Sequence, residues 1–344
     1  MSTYEEIKGM KIREYTTNPD DPLEGQLWYN QTDSVAKYSA LVTTAAFSTG
    51  TAYNNGRSSG GAAGTRTSGL ISGGTPGAPG NFNHTAQTES WNGSSWTEVG
   101  DLNQRRNATR GVGPNNTAAL TFGGGTPGQP IGDNSGVLVE SWNGSAWTEV
   151  ADLSQNKDSV GPIGTYNDAL CVGGNNPGIA QNEKWNGSSW TELADLNQGR
   201  GALGAGGTAS TSGIVFGGFI SPSPPEYWTE VTEVWNGSAW TEVADLNQKR
   251  SGLGGTGSST AALAIGGRYD GNPVNAITEN WNGSSWTEIA DLGTGRYNTF
   301  TTQAGPSTFA SAIGGAVGPL DSMTTAVEDF NGVGAVLTKT IDTD

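Results

Sequence analysis

One histidine, His84, and one cysteine, Cys171, are the whole imidazole and thiol supply of this 344-residue chain. A metal site built on two or more imidazoles cannot be assembled from a single His. Cys171 sits in "ALCVGG", where sister segments carry Thr121, Val215, Ala264 or Ala312, so it reads as a small core residue and not as a nucleophile. The string "GLGGTG" (Gly252–Gly257) matches a dinucleotide-binding glycine pattern. Pyrophosphate binding needs that pattern to open a helix after a strand, and here it lies inside a run that reads as a strand. Asn-Gly-Ser at Asn92, Asn143, Asn186, Asn236 and Asn282 has the form of a glycosylation acceptor, yet each copy also reads as a hairpin turn. The recurrent acids come one per turn, short of the roughly six to eight oxygens that a calcium ion gathers. The expectation is no catalytic residue, no metal and no cofactor.

What does recur is a set of charged and aromatic residues on a fixed grid. Glu-x-Trp-Asn-Gly begins at Glu89, Glu140, Glu183, Glu233 and Glu279, with a degraded copy, "EDFNG", at Glu328. The second aromatic follows five residues after the first: Trp96, Trp147, Trp190, Trp240 and Trp286. Ten residues further on stands a base: Arg106, Lys157, Arg200, Arg250 and Arg296. A small-residue stretch then leads to a diglycine, at Gly73, Gly123, Gly173, Gly217, Gly266 and Gly314. Six diglycines imply six units. The grid-locked bases read as structural ion pairs, with Arg250 expected to engage Asp245 or Glu242.

The elements that carry this grid are short strands. In the unit from Arg250 to Ile289, "SGLGGTGSS" reads as the first strand, "TAALAIGG" as the second, "ITENWNG" as the third and "SWTEIADL" as the fourth. Asn-Gly between two aromatic-bearing strands is a strong hairpin signal, because both central residues can take positive φ. The flanking tryptophans should meet across the ladder. Residue size grows from the first strand to the fourth, which makes each unit a wedge. Wedges set around an axis leave little room at the centre and much at the rim, the plan of a propeller blade. The unbroken apolar second strand suits burial on both faces. For the outer strand of the last blade there are two candidates. "AFSTGTAYNNGR" (Ala46–Arg57) puts Phe47 at the outer tryptophan position and Arg57 at the repeat's base. "AVLTKTI" (Ala335–Ile341) competes for the same place.

Composition sets the remaining bounds. With 54 Gly and only 15% charged residues, the chain is a poor helix former, since Gly costs about 1 kcal/mol per helical position relative to Ala. A net charge of −16 repels phosphate backbones, so no nucleic acid is expected as a partner. No apolar run is long enough to span a bilayer. The single Cys rules out an internal disulfide framework. "MSTYEEIKGMKIREY" lacks the apolar stretch of a secretion signal. A soluble, unsecreted chain is the expectation.

The period, the diglycine closing the second strand, the aromatic of the third, "W-T-E" in the fourth and the Arg opening the next unit resemble kelch repeats. The resemblance covers residues 46–344 and departs from kelch in carrying Trp where the third strand usually has Tyr. It implies an all-β, six-bladed kelch-like β-propeller of four-stranded antiparallel blades. Kelch-type copper oxidases need several histidines, which this chain lacks, and the Asp-box turns of sialidase-like propellers are missing too. Residues 1–45 fall outside the repeat. Their "NPDDPLEGQLWYN" (Asn18–Asn30), followed by a hairpin, resembles short modules of bacteriophage tail and virion proteins. That resemblance implies an attachment segment, with Trp28, Tyr29 and Tyr38 as its aromatic residues.

Binding is expected on loops that diverge while the scaffold repeats. The loops after the diglycines vary most, and Phe82, His84, Phe219, Tyr227, Trp228 and Tyr269 on them are the candidate binding residues. The resulting expectation is a non-enzymatic virion structural protein, in a tail fibre or surface decoration. It would be multi-copy in the particle, docked to other virion proteins through the N-terminal segment, with the loops meeting a host-surface glycan or a virion protein. Two alternatives are a glycan-processing enzyme on a propeller scaffold and a cellular kelch-type adaptor that binds a peptide.

Overall fold

The computed structural model describes residues 13–19, 26–41, 44–77, 84–125, 134–174, 178–220, 228–269, 274–318, 322–332 and 336–341. Among these, the fold is all-β apart from one 3-10 turn at Asn134–Val137. The chain forms two compact units: Ala46–Phe330, and Met1–Ala45 together with Asn331–Asp344.

The larger unit contains six four-stranded antiparallel sheets, each built on the expected meander. The first sheet holds Gly61–Thr65, Ser68–Ser72, Thr88–Trp91 and Trp96–Val99. The second holds Arg110–Asn115, Ala118–Phe122, Val139–Trp142 and Trp147–Glu149. The third holds Gly161–Thr165, Asp168–Val172, Asn182–Trp185 and Trp190–Glu192. The fourth holds Gly204–Ala209, Ser212–Phe216, Thr232–Trp235 and Trp240–Glu242. The fifth holds Gly254–Ser258, Ala261–Ile265, Thr278–Trp281 and Trp286–Glu288. The sixth takes Phe300–Thr301, Phe309–Ile313 and Val327–Asn331, and its outer strand is Ala46–Thr49 from the other end of the unit.

That last strand decides between the two candidates. Gly50 N donates to Val327 O at 2.8 Å, Tyr53 N to Thr325 O at 3.2 Å, and the rings of Phe47 and Phe330 lie 5.1 Å apart. The Ala46–Arg57 segment carries the whole grid: Phe47 for the tryptophan, Tyr53 for the leucine, then Asn54 and Arg57. "AVLTKTI" has no aromatic residue and so no base at the grid's spacing from one, and its strand, Val336–Thr340, pairs instead with Val35–Leu41 in the smaller unit.

Small first strands let backbones of neighbouring sheets touch. A side chain on Gly255 would place its Cβ 2.4 Å from the N and O of Ala205, closer than real atoms approach. Each first strand contacts the first strand of the next sheet, and Phe300–Thr301 of the sixth contacts Gly61–Thr65 of the first. Ala304 N donates to Gly64 O at 3.0 Å across that junction. The second strands are buried on both faces, as their continuous apolar runs require. This inter-sheet packing is propeller-like.

The cores lie between sheets. One cluster joins Ile163, Leu170 and Val172 of the third sheet to Val215, Trp235 and Trp240 of the fourth. The paired tryptophans face each other in register, as in Trp281↔Trp286, with ring centroids 5.2–5.4 Å apart in all five copies. The first indole of a pair donates to the turn between strands one and two, as Trp281 Nε1 does to Ser259 O at 2.9 Å. The second reaches the preceding sheet: Trp147 Nε1 donates to Thr88 Oγ1 at 3.0 Å and Trp286 Nε1 to Thr232 Oγ1 at 3.1 Å. An indole thus ties two sheets together while burying a large apolar ring.

The Asn-Gly turn forms the expected hairpin but uses one of its two residues for the turn in φ. Only its Gly has positive φ, for example 95° at Gly283. Four residues connect Trp281 to Trp286, and Asn282 Oδ1 accepts from Ser284 N, Ser284 Oγ and Ser285 N. The asparagine therefore shapes the loop through its side chain, and its own backbone stays in the ordinary region.

The smaller unit is a sheet in the order Arg13–Tyr15, Leu27–Asn30, Val35–Leu41, Val336–Thr340. The first pair is parallel and the other two antiparallel. The expected hairpin is its middle pair. Trp28 is fully buried, and Asn18 Oδ1 accepts from Trp28 Nε1 at 3.4 Å and from Asn30 Nδ2 at 2.9 Å.

Candidate functional site

The grid-locked charges form six buried clamps. Arg57 pairs with Glu89, Arg106 with Glu140, Lys157 with Glu183, Arg200 with Glu233, Arg250 with Glu279 and Arg296 with Glu328. The partner of Arg250 is therefore Glu279, not Asp245 or Glu242. Arg250 Nη1 lies 2.6 Å from Glu279 Oε1 with both side chains fully buried, whereas Asp245 Oδ1 accepts from Thr232 N in the preceding sheet. The loop leaving one sheet is pinned to the third strand of the next.

The second carboxylate oxygen of each clamp is also taken. Glu279 Oε2 accepts from Asn247 N at 2.8 Å and Asn247 Nδ2 at 2.6 Å, and Asn54, Asn103 and Asn197 do the same for Glu89, Glu140 and Glu233. Burial holds the guanidinium groups of Arg106, Arg200 and Arg250 below the ordinary arginine value, opposed by Glu140, Glu233 and Glu279. These paired charges position the loops that join one sheet to the next. Breaking one such pair strands the other charge at a cost of about 3–5 kcal/mol.

The loops these clamps hold are the candidate binding surface. Bridges tie the loop after a second strand to the linker entering the same sheet: Gly201 to Phe219, Ser251 to Arg268 and Tyr297 to Ala316. Phe219 also bridges to Trp228, and their rings meet edge-on at 6.5 Å. Both are half-buried, so these two candidates are brought together within one loop. Tyr269 is half-buried beside Arg268, whose guanidinium stacks 4.8 Å over Tyr297. His84 is half-buried in the first sheet's loop. Burial lowers its pKa, a hydrogen bond with the Gly125 backbone opposes this, and the Arg105 charge adds to the lowering. Phe82 and Tyr227 lie outside the described residues.

In the smaller unit, Tyr29 is exposed and Tyr38 half-buried, while Trp28 is interior and serves the sheet's own packing. Cys171 is fully buried, and desolvation pushes its thiol up to about 12, which keeps it protonated and unreactive near neutrality. "GLGGTG" falls on the first strand of the fifth sheet and opens no helix. Among the described residues, no three of His, Cys, Asp and Glu gather in a way that could hold a metal ion.

Two residues with an uncommon placement escaped the sequence reading. Arg110 and Gln303 line a cavity at the junction of all six first strands. For Arg110 the signal was available: it stands four residues after the grid base, where four sister units have glycine.

The fold and these surfaces define an all-β, propeller-like scaffold of repeated four-stranded sheets. No protein-family model matches the chain, and no curated protein matches it.

Proposed function

We propose that this chain is a non-enzymatic structural protein of a bacteriophage particle, in which a six-bladed, kelch-like propeller presents variable loops for adhesion. The observation that carries the reading is the two-part build. Segments from both ends of the chain fold into a sheet of their own, apart from the unit that carries the repeats. The smaller unit holds the "EGQLWYN" stretch that resembles virion attachment modules, and it acts as the docking element for other virion proteins. The larger unit supplies a rigid base, clamped six times, from which loops diverge in sequence. Rigid frameworks with divergent loops are where recognition concentrates. Phe219, Trp228 and Tyr269 supply aromatic surface suited to the apolar face of a sugar ring or to a partner's pocket.

The test is particle composition together with binding. Mass spectrometry and reconstruction of purified particles should find the chain in many copies, attached through residues 13–41 and 336–341. A glycan array probed with the whole chain should show retention that Trp228→Ala reduces. A stably monomeric protein absent from particles, or one that turns over a glycan, would contradict the proposal.

A further inference from the structure

Residues on and next to the first strands of the six sheets line a partly open cavity of about 20 Å³. Its wall is more polar than apolar, with Thr299, Thr301 and Gln303 beside Pro162, Leu203 and Phe300, and Arg110 is the one cation among its lining residues. The same offset from the other grid bases gives Gly61, Gly161, Gly204, Gly254 and Phe300. Four sheets therefore manage this position with no side chain at all, so the sheet does not require an arginine there.

Nor is the charge compensated as the clamps are. Among the described residues, the hydrogen bond of the Arg110 guanidinium is to its neighbour's carbonyl, Nη1 to Thr109 O at 2.9 Å. No carboxylate of the described residues lies within ion-pair distance of it, while every clamp base has one. Desolvation pushes Arg110 down to about 10, with Asp158 pulling the other way. Arg110 is half-buried, and it holds its charge on this wall without a carboxylate of the described residues at ion-pair distance, where a glycine would remove the charge.

A second group on the same wall is also incomplete. Gln303 is buried, and its Nε2 donates to Gly255 O at 2.9 Å and Thr301 Oγ1 at 3.0 Å. Those two bonds fix the amide's orientation. They leave Oε1 as a buried acceptor with no partner among the described residues.

We propose that Arg110 makes the hub of the larger unit a binding site for a small monovalent anion, of the size of chloride or a single carboxylate. Water completes the site by donating to Gln303 Oε1. The cavity has room for about one or two water-sized groups, which excludes ions as large as sulfate. The site is independent of the loop surface and of any virion role.

The experiment follows thermal unfolding of the whole chain while sodium gluconate is replaced, at constant ionic strength, by sodium chloride, sodium formate or sodium sulfate. Chloride or formate should raise Tm by about 2 °C or more at saturation. Arg110→Gly, which installs the residue of the sister sheets, should abolish the rise. A response to chloride alone identifies a free halide as the occupant, and a response to formate alone identifies a carboxylate group. Equal curves in all salts, or an undiminished rise in Arg110→Gly, overturn the proposal. If that variant does not fold, crystals soaked in the active anion decide: density beside the Arg110 guanidinium is expected, and density only elsewhere overturns the site.

Discussion

At the scale of single residues, the six clamps differ in one place, and the difference is testable. Lys157 reaches Glu183 Oε1 at 2.8 Å but cannot supply the planar fork with which Arg106 bonds both Glu140 and Leu138 O. Lys157→Arg should therefore stabilise the protein by about 0.5–1 kcal/mol in denaturant unfolding. Glu279→Gln should cost about 3–5 kcal/mol, because it leaves the fully buried Arg250 without its counter-charge. His84 gives the pH prediction. Its folded pKa lies below the ordinary 6.5, so the unfolded chain binds the proton more readily. The contribution is fully present above about 6.5 and is lost as pH falls through the folded value. Tm measured from pH 7.5 downward should fall less steeply over that window in His84→Gln; identical slopes would contradict it. The clamp residues were legible in the sequence because a grid of charges at fixed spacing has few uses beyond pairing. Their partners were not, since proximity along the chain favoured Asp245 while the fold brings Glu279, 29 residues away, to Arg250.

At the scale of elements, most of the meander could be read directly. Small first strands, apolar second strands and tryptophan-flanked turns fall where the spacing put them. The sixth sheet could not be decided from the sequence, because both candidate strands are short and one must cross nearly the whole chain to pair. The clamp contacts select the strand: Asn54 and Arg57 engage Glu89 as Asn247 and Arg250 engage Glu279. Deleting residues 1–57 should therefore destabilise the larger unit much more than deleting residues 1–45, as judged by Tm of the two fragments. Equal stability of the two would remove Ala46–Thr49 from the sixth sheet. The turns ending the second strands make a narrower prediction. Gly266 has φ of 62°, and a Cβ there would sit 2.5 Å from Arg296 O. Gly266→Ala should cost more than about 1 kcal/mol by chemical denaturation, through both strain and collision.

At the scale of the molecule, residue size graded across each repeat anticipates sheets that touch through their thinnest strands. The sequence placed the end of the chain with the repeats, whereas Asn331–Asp344 groups with the N-terminal segment. A strand as plain as Val336–Thr340 carries no mark of the sheet it will join. The central claim is that the first and last sheets of the larger unit meet, as they must if the six are set around an axis. Ile71 of the first sheet shares a buried cluster with Phe300, Ile313 and Val327 of the sixth. Methyl-labelled protein examined by nuclear Overhauser spectroscopy tests this most directly. Cross-peaks from Ile71 to the methyls of Ile313 or Val327 are predicted, and an Ile71 whose contacts stop at its own sheet and the second would contradict the account.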